Sequence, residues 1–168
     1  MSLTRRAALA GALGAVLAVP DVALAGPSEG AVLVALWRRE AAAELAYRAQ
    51  RGAFAGADVL QAHCGMHVSA LSTELGALGI DFPDKPSGPA QYDPLARALA
   101  TAAGNGALPA AIALEHGLVA TYQAALPVPG DLKVAITLAT ILASHAQHEL
   151  MLRAEHGLEP LPVAQAAG

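Results

Sequence analysis

The chain has 168 residues, 55% of them apolar and 14% charged, with a formal net charge of −4. That length holds one domain with a real core, the composition excludes a disordered chain, and scattered Lys and Arg without a basic patch exclude nucleic acid as a partner. Aromatics at 4% and abundant alanine favour close-packed helices over a β-sandwich, and the single cysteine, Cys64, excludes an internal disulfide.

Residues 1–25 read as an export signal of the twin-arginine type. Thr4-Arg5-Arg6 precedes an apolar run from Ala7 to Val19, and Ala23-Leu24-Ala25 supplies an A-x-A cleavage site. An ordinary secretory signal that holds two arginines is the alternative. The apolar run is shorter than the roughly 20 residues a span requires, and Pro20 ends it. The mature chain is therefore expected outside the cytoplasm, periplasmic or extracellular, with no integral membrane span.

The mature domain, residues 26–158, reads as helices throughout. Ser28 is the N-cap candidate of a first helix reaching about Arg51, with Leu33, Leu36, Trp37, Glu40, Ala43, Glu44 and Tyr47 on one face. Trp37 suits a core or an interface. Gly52 and Gly56 mark a turn, and a second helix follows from about Ala57 to Leu78. Pro83, Pro86, Pro89 and Pro94 then make an extended crossover. A short helix is expected over Leu95 to Ala103 and a longer one from about Pro109 to Leu126. Asp131 can cap a last helix running to about His156. Residues 159–168 read as a flexible tail.

Histidines concentrate on two of these helices. His63-Cys64-Gly65-Met66-His67 places two imidazoles four residues apart, and His145-Ala146-Gln147-His148 places two three apart. Either spacing puts both rings on one helix face. Imidazoles on an apolar face are buried with partners or bound to something, and paired histidines on one face are a known metal-ligand arrangement. His63 and His67 could together chelate one ion; otherwise His63 meets solvent or the end of the bundle. Met66 offers a soft ligand or simply packs. His116 points about 100° from Glu115, and Glu149 about 100° from His148, so Glu149 reads as a solvated or salt-bridged acid.

The chain also repeats itself. Glu40 and Tyr47 are seven apart, as are Glu115 and Tyr122, and His63-Cys64-Gly65-Met66-His67 falls over Ser144-His145-Ala146-Gln147-His148. Extending this alignment sets Glu74 over Glu155. The two tyrosines either hydrogen-bond the acids and histidines or pack as amphipathic core residues, the commoner use.

Two helical hairpins, each with a Glu on its first helix and a Glu-x-x-His on its second, make the ferritin-like four-helix bundle, whose acids and histidines converge on a metal pair. Over about residues 29 to 157 this chain resembles that family. The resemblance implies an all-α, up-down four-helix bundle of two hairpins joined by a long crossover. It sets Glu40 and Glu115 at the first- and third-helix carboxylates, and His67 and His148 at the two histidines. Cys64 and His145 stand where the family has the glutamates that bridge the metals. The matched set is thus Glu40, His63, Cys64, His67, Glu115, His145 and His148, with Glu44 one turn from Glu40 as a further carboxylate. Imidazole with thiolate suits zinc or copper, whereas a bridged di-iron pair wants more carboxylates.

Two readings follow. In the first, an exported ferritin-like protein binds a metal ion (iron, manganese, zinc or copper) in its core, where zinc would favour structure or hydrolysis and the other three redox work. In the second, the scaffold holds no metal, its acids pair with its histidines, and it has a binding or structural role in the cell envelope. A heme bundle using His67 and His148 is a weaker third, since no C-x-x-C-H motif is present. A homodimer is left open.

Overall fold

The computed structural model describes residues 27–159, so the export-signal reading of residues 1–25 and nearly all of the tail lie outside the described residues. Those residues form five α-helices and no strand: α1 Glu29–Ala49, α2 Ala57–Ala77, α3 Pro94–Ala100, α4 Ala107–Ala125 and α5 Leu132–Glu155. The all-α expectation holds. Among the described residues no helix is long and apolar enough to cross a membrane.

Side-chain caps fix the helix starts. Ser28 Oγ accepts from Ala31 N, Asp93 Oδ1 from Leu95 N and Ala96 N, and Asp131 Oδ1 from Lys133 N, each satisfying a donor the first turn would leave unpaired. Gly52 and Gly56 carry φ of 76° and 81° in the α1–α2 turn, conformations that side-chain-bearing residues avoid. α4 begins at Ala107, two residues before the expected Pro109, because a proline in the first turn lacks only an N–H that has no intrahelical partner there. α3 ends at Ala100, earlier than the expected Ala103.

Four long helices make a square of neighbours. α1 packs against α2 and α4, α5 packs against α4 and α2, and the backbones of the diagonal pairs stay apart. Contacts show three of these pairs to be antiparallel: Trp37 Nε1 donates to Ser72 Oγ at 2.8 Å while Glu40 meets His67, Tyr47 meets Glu115 while Tyr122 meets Glu40, and His63 meets His148 while Glu74 meets Lys133. The fourth pair, α4 and α5, is a hairpin with a short turn.

The crossover brings α3 across the α1–α4 side. Tyr92, Ala96 and Leu99 join Ala43, Tyr47, Leu114 and Leu118 in one apolar cluster. Gly117 makes room for this strap, since a Cβ there would fall 2.3 Å from Leu95 Cδ1. Gln50 ties the ends together by donating to the Leu99 and Ala102 carbonyls.

The repeat has structural counterparts at both ends. Glu74, near the end of α2, accepts from Lys133 Nζ and Thr137 Oγ1 at the start of α5. Glu155, aligned with it, accepts from Ala55 N in the α1–α2 turn. A second apolar cluster, with Leu33, Leu36, Trp37, Leu71, Leu75 and Leu138, fills the other half of the bundle. Between the two clusters lies a polar layer.

Candidate metal centre

All four long helices send acids or histidines into that layer. Glu40 comes from α1, His67 from α2, Glu115 from α4, and His145 and His148 from α5, all buried, with Glu40, Glu115 and His145 at 0% exposure. Burying so many ionisable groups is costly unless each finds a partner.

His145 is the centre of the layer. Its Nδ1 lies 2.7 Å from Glu115 Oε2 and its Nε2 lies 2.7 Å from Glu40 Oε1. An ionised carboxylate only accepts, so both ring nitrogens must carry hydrogen, and His145 is an imidazolium between two carboxylates. Burial alone would push its pKa down, but the charge of Glu40 and the hydrogen bonds to Glu115 and Glu40 lift it to about 10. Burial would likewise raise Glu40; the charge of His145 and hydrogen bonds from His145 and His67 outweigh it and hold the carboxyl at about 2. Glu115 is lowered for the same reason, burial being overcome by its hydrogen bond from His145 and by nearby His148.

On either side of His145 the layer is nearly two-fold. His67 Nδ1 lies 3.2 Å from Glu40 Oε2, and His148 Nδ1 lies 3.4 Å from Glu115 Oε2. Tyr47 donates to Glu115 Oε1 at 2.6 Å and Tyr122 to Glu40 Oε1 at 2.9 Å, so each hairpin's tyrosine serves the other hairpin's acid. Of the two uses open to the tyrosines, the structure therefore shows both, packing and hydrogen bonding. Burial and the adjacent carboxylates raise both phenols well above their ordinary pKa, which keeps them protonated donors.

The symmetry fails on its axis. Cys64 faces the layer from α2 where His145 faces it from α5. Its thiol is fully buried, and burial together with the charges of Glu40 and Glu115 pushes its pKa well up. Within the metal-free cluster it is a thiol, not a thiolate ligand.

The donors form two triads, Glu40–His67–His145 and Glu115–His145–His148, each with one ligand atom per residue and all such atoms within 4.8 Å of one another. His145 belongs to both. Cys64 and His63 belong to neither. His63 is half-buried and stands one step out, its Nδ1 2.8 Å from His148 Nε2. Burial and the neighbouring His148 and His67 lower its pKa. Glu44 is taken up elsewhere, paired with Arg48 at 2.9 Å and Lys85 at 3.1 Å. Met66 is 58% exposed, pointing away. His116 is exposed too; its Nδ1 lies 3.3 Å from Glu149 Oε1, and Glu149, also 3.7 Å from Arg153, is buried and salt-bridged rather than solvated.

One atom in the layer is left over. Among the described residues, His148 Nδ1 is the buried side-chain polar atom without a hydrogen-bond partner, with Glu115 Oε2 3.4 Å away. An imidazole nitrogen beside a carboxylate, with nothing to bond, fits a metal ligand. Two carboxylates with three imidazoles suit zinc, copper or iron, and manganese less closely. The proton inventory sets the condition: a cation bound through His145 must displace at least one of its two N–H hydrogens.

The fold and the layer define a class, an all-α bundle with a buried cluster of acids and histidines able to hold a metal ion. Compared with protein-family models, curated proteins and solved structures, the chain matches none.

Proposed function

We propose that the chain is an exported, ferritin-like protein that binds metal in the core of its bundle. The observation that carries this reading is the pair of Glu/His triads sharing His145. Glu40, His67, Glu115, His145 and His148 would hold the metal, and the unpartnered His148 Nδ1 supports that assignment. A bound zinc would supply structure or hydrolysis, and iron, manganese or copper would supply redox chemistry. The chain's own residues set the frame for either. Tyr47 and Tyr122 orient the two carboxylates, the apolar clusters on both sides exclude water, and His145 gives up hydrogen as the cation arrives.

The competing reading is the metal-free scaffold, and one observation favours it. His145 already meets both carboxylates at 2.7 Å, so the layer balances its charges without an ion. Elemental analysis of residues 26–168, purified without chelator or histidine tag, separates the two. One or two equivalents of metal, lost in a His67→Ala and His148→Ala double variant, would support the centre and name its metal. No metal after attempted reconstitution would leave the scaffold reading.

A further inference from the structure

The polar layer has four sides, and the structure treats them differently. The α1–α4 side is closed by α3, whose Ala96 and Leu99 pack over Ala43 and Tyr47. On the α1–α2 side stands Glu44, beside Gly65, carrying Arg48 and Lys85. Two cations there repel an approaching cation. On the α4–α5 side Glu149 is held by Arg153 and His116. The α2–α5 side presents a half-exposed imidazole in contact with a member of the two triads: His63, whose ring lies nearly parallel to that of His148, with centroids 5.0 Å apart and planes 25° apart.

His148 then faces two ways. Its Nε2 meets His63 and Ser144 Oγ, while its Nδ1 faces Glu115. The contacts run unbroken from the surface inward: His63 to His148, His148 to Glu115, Glu115 to His145, His145 to Glu40, and Glu40 to His67. Nothing in the repeat requires His63, because Ser144 occupies the aligned position in the second half. It is an addition to the two-fold pattern, placed where a ligand is both reachable and connected.

From this we propose that His63 is the port of the metal centre: it captures a divalent cation at the α2–α5 surface and passes it to His148. This rests on the metal-binding reading above and assigns a route to it. For the cation to enter, the hydrogen between His63 Nδ1 and His148 Nε2 is lost to solvent and the ring that donated it takes one up at its other nitrogen, so both imidazoles stay neutral. The cation then moves on to the Glu115 triad, and His63 is free again. His63 is a positioning residue for loading and no part of the final ligand set.

Loading of Co²⁺ into the metal-free protein tests this. Trp37, the only tryptophan, is buried on α1 one turn before Glu40 and reports a bound paramagnetic ion by quenching. In stopped flow, His63→Ala and the bulkier His63→Gln should load at least about ten-fold more slowly than wild type, because an ion held at the port is presented to His148 within one molecule. Final quenching and stoichiometry should equal those of wild type, and His116→Ala, exposed and off the route, should load at the wild-type rate. Equal rates in wild type and both His63 variants would overturn the port while leaving the centre intact. Loss of stoichiometry in both His63 variants would also overturn it, making His63 a resident ligand. A wild-type protein that takes up no Co²⁺, or any other metal, would overturn the centre itself and the port with it.

Discussion

Removing the imidazole of His145 from the metal-free protein should be among the most damaging single changes in the chain. The ring is fully buried and meets both Glu40 and Glu115 at 2.7 Å. His145→Ala leaves two buried carboxylates facing a hole, and breaking a buried ion pair from one side costs about 3–5 kcal/mol. For a domain of this size that is a fall in Tm of roughly 10–20 °C. Thermal melts followed by circular dichroism, after dialysis against chelator, measure it. The dependence on pH identifies the cause. Without the imidazolium the two carboxyls should titrate above their ordinary range, so lowering the pH from 7 to 4.5 neutralises them and the gap to wild type should narrow. Leu138→Ala, which opens a cavity in the apolar cluster next to the layer, should cost about 2–5 kcal/mol at both pH values. A His145→Ala loss below about 1 kcal/mol, or one as large at pH 4.5 as at pH 7, would refute the imidazolium bridge.

In the metal-free wild type, His145 with its raised pKa stabilises the fold fully below about 6.5, and that contribution should disappear as pH rises through about 10. Glu40 works in the opposite sense: its contribution is present above about 4.5 and should disappear as pH falls through about 2, so urea titrations should show a maximum between the two windows. Tyr47→Phe and Tyr122→Phe each remove a hydrogen bond to a charged acceptor and should each cost about 1.5–3 kcal/mol in urea unfolding; unchanged midpoints would contradict the bonds. His145→Glu sets three carboxylates in the layer with no cation between them. The metal-free variant should melt well below wild type, and added Zn²⁺ should raise its Tm by more than it raises that of wild type. An equal response in the two proteins would show that the layer does not gather cations.

The helices were legible because each signal that marked them is local. Ser28, Asp93 and Asp131 cap with their own side chains, and the glycine and proline clusters fall between elements. The repeat made Glu40, Glu115, His67 and His148 candidates for one layer, and they share it. What spacing does not carry is the partner across the bundle. Glu40 and Tyr47 are neighbours on one helix face, yet Tyr47 bonds to the opposite hairpin and Glu40 to both hairpins. Nothing in the order of residues says that His145 joins both triads while Cys64, its counterpart, joins neither. Glu149 shows the limit of helical angles. Its position off the histidine face left it solvated or salt-bridged; Arg153 one turn on and His116 on the neighbouring helix make it salt-bridged, and buried.

The exchange of tyrosines between halves bears on how the chain assembles. Tyr47 in the first hairpin serves Glu115 in the second, Tyr122 returns the service to Glu40, and His145 serves both. Neither hairpin is self-sufficient: alone, each acid would keep a histidine of its own hairpin but lose its tyrosine donor, and Glu40 would lose His145 as well. Half-formed molecules are therefore penalised, which favours all-or-none folding. The same dependence makes another copy of the chain the natural substitute when a sister hairpin is out of reach. The linker from α2 to α4 is long enough for the halves to part, so hairpins traded between two chains are the expected misassembly at high concentration.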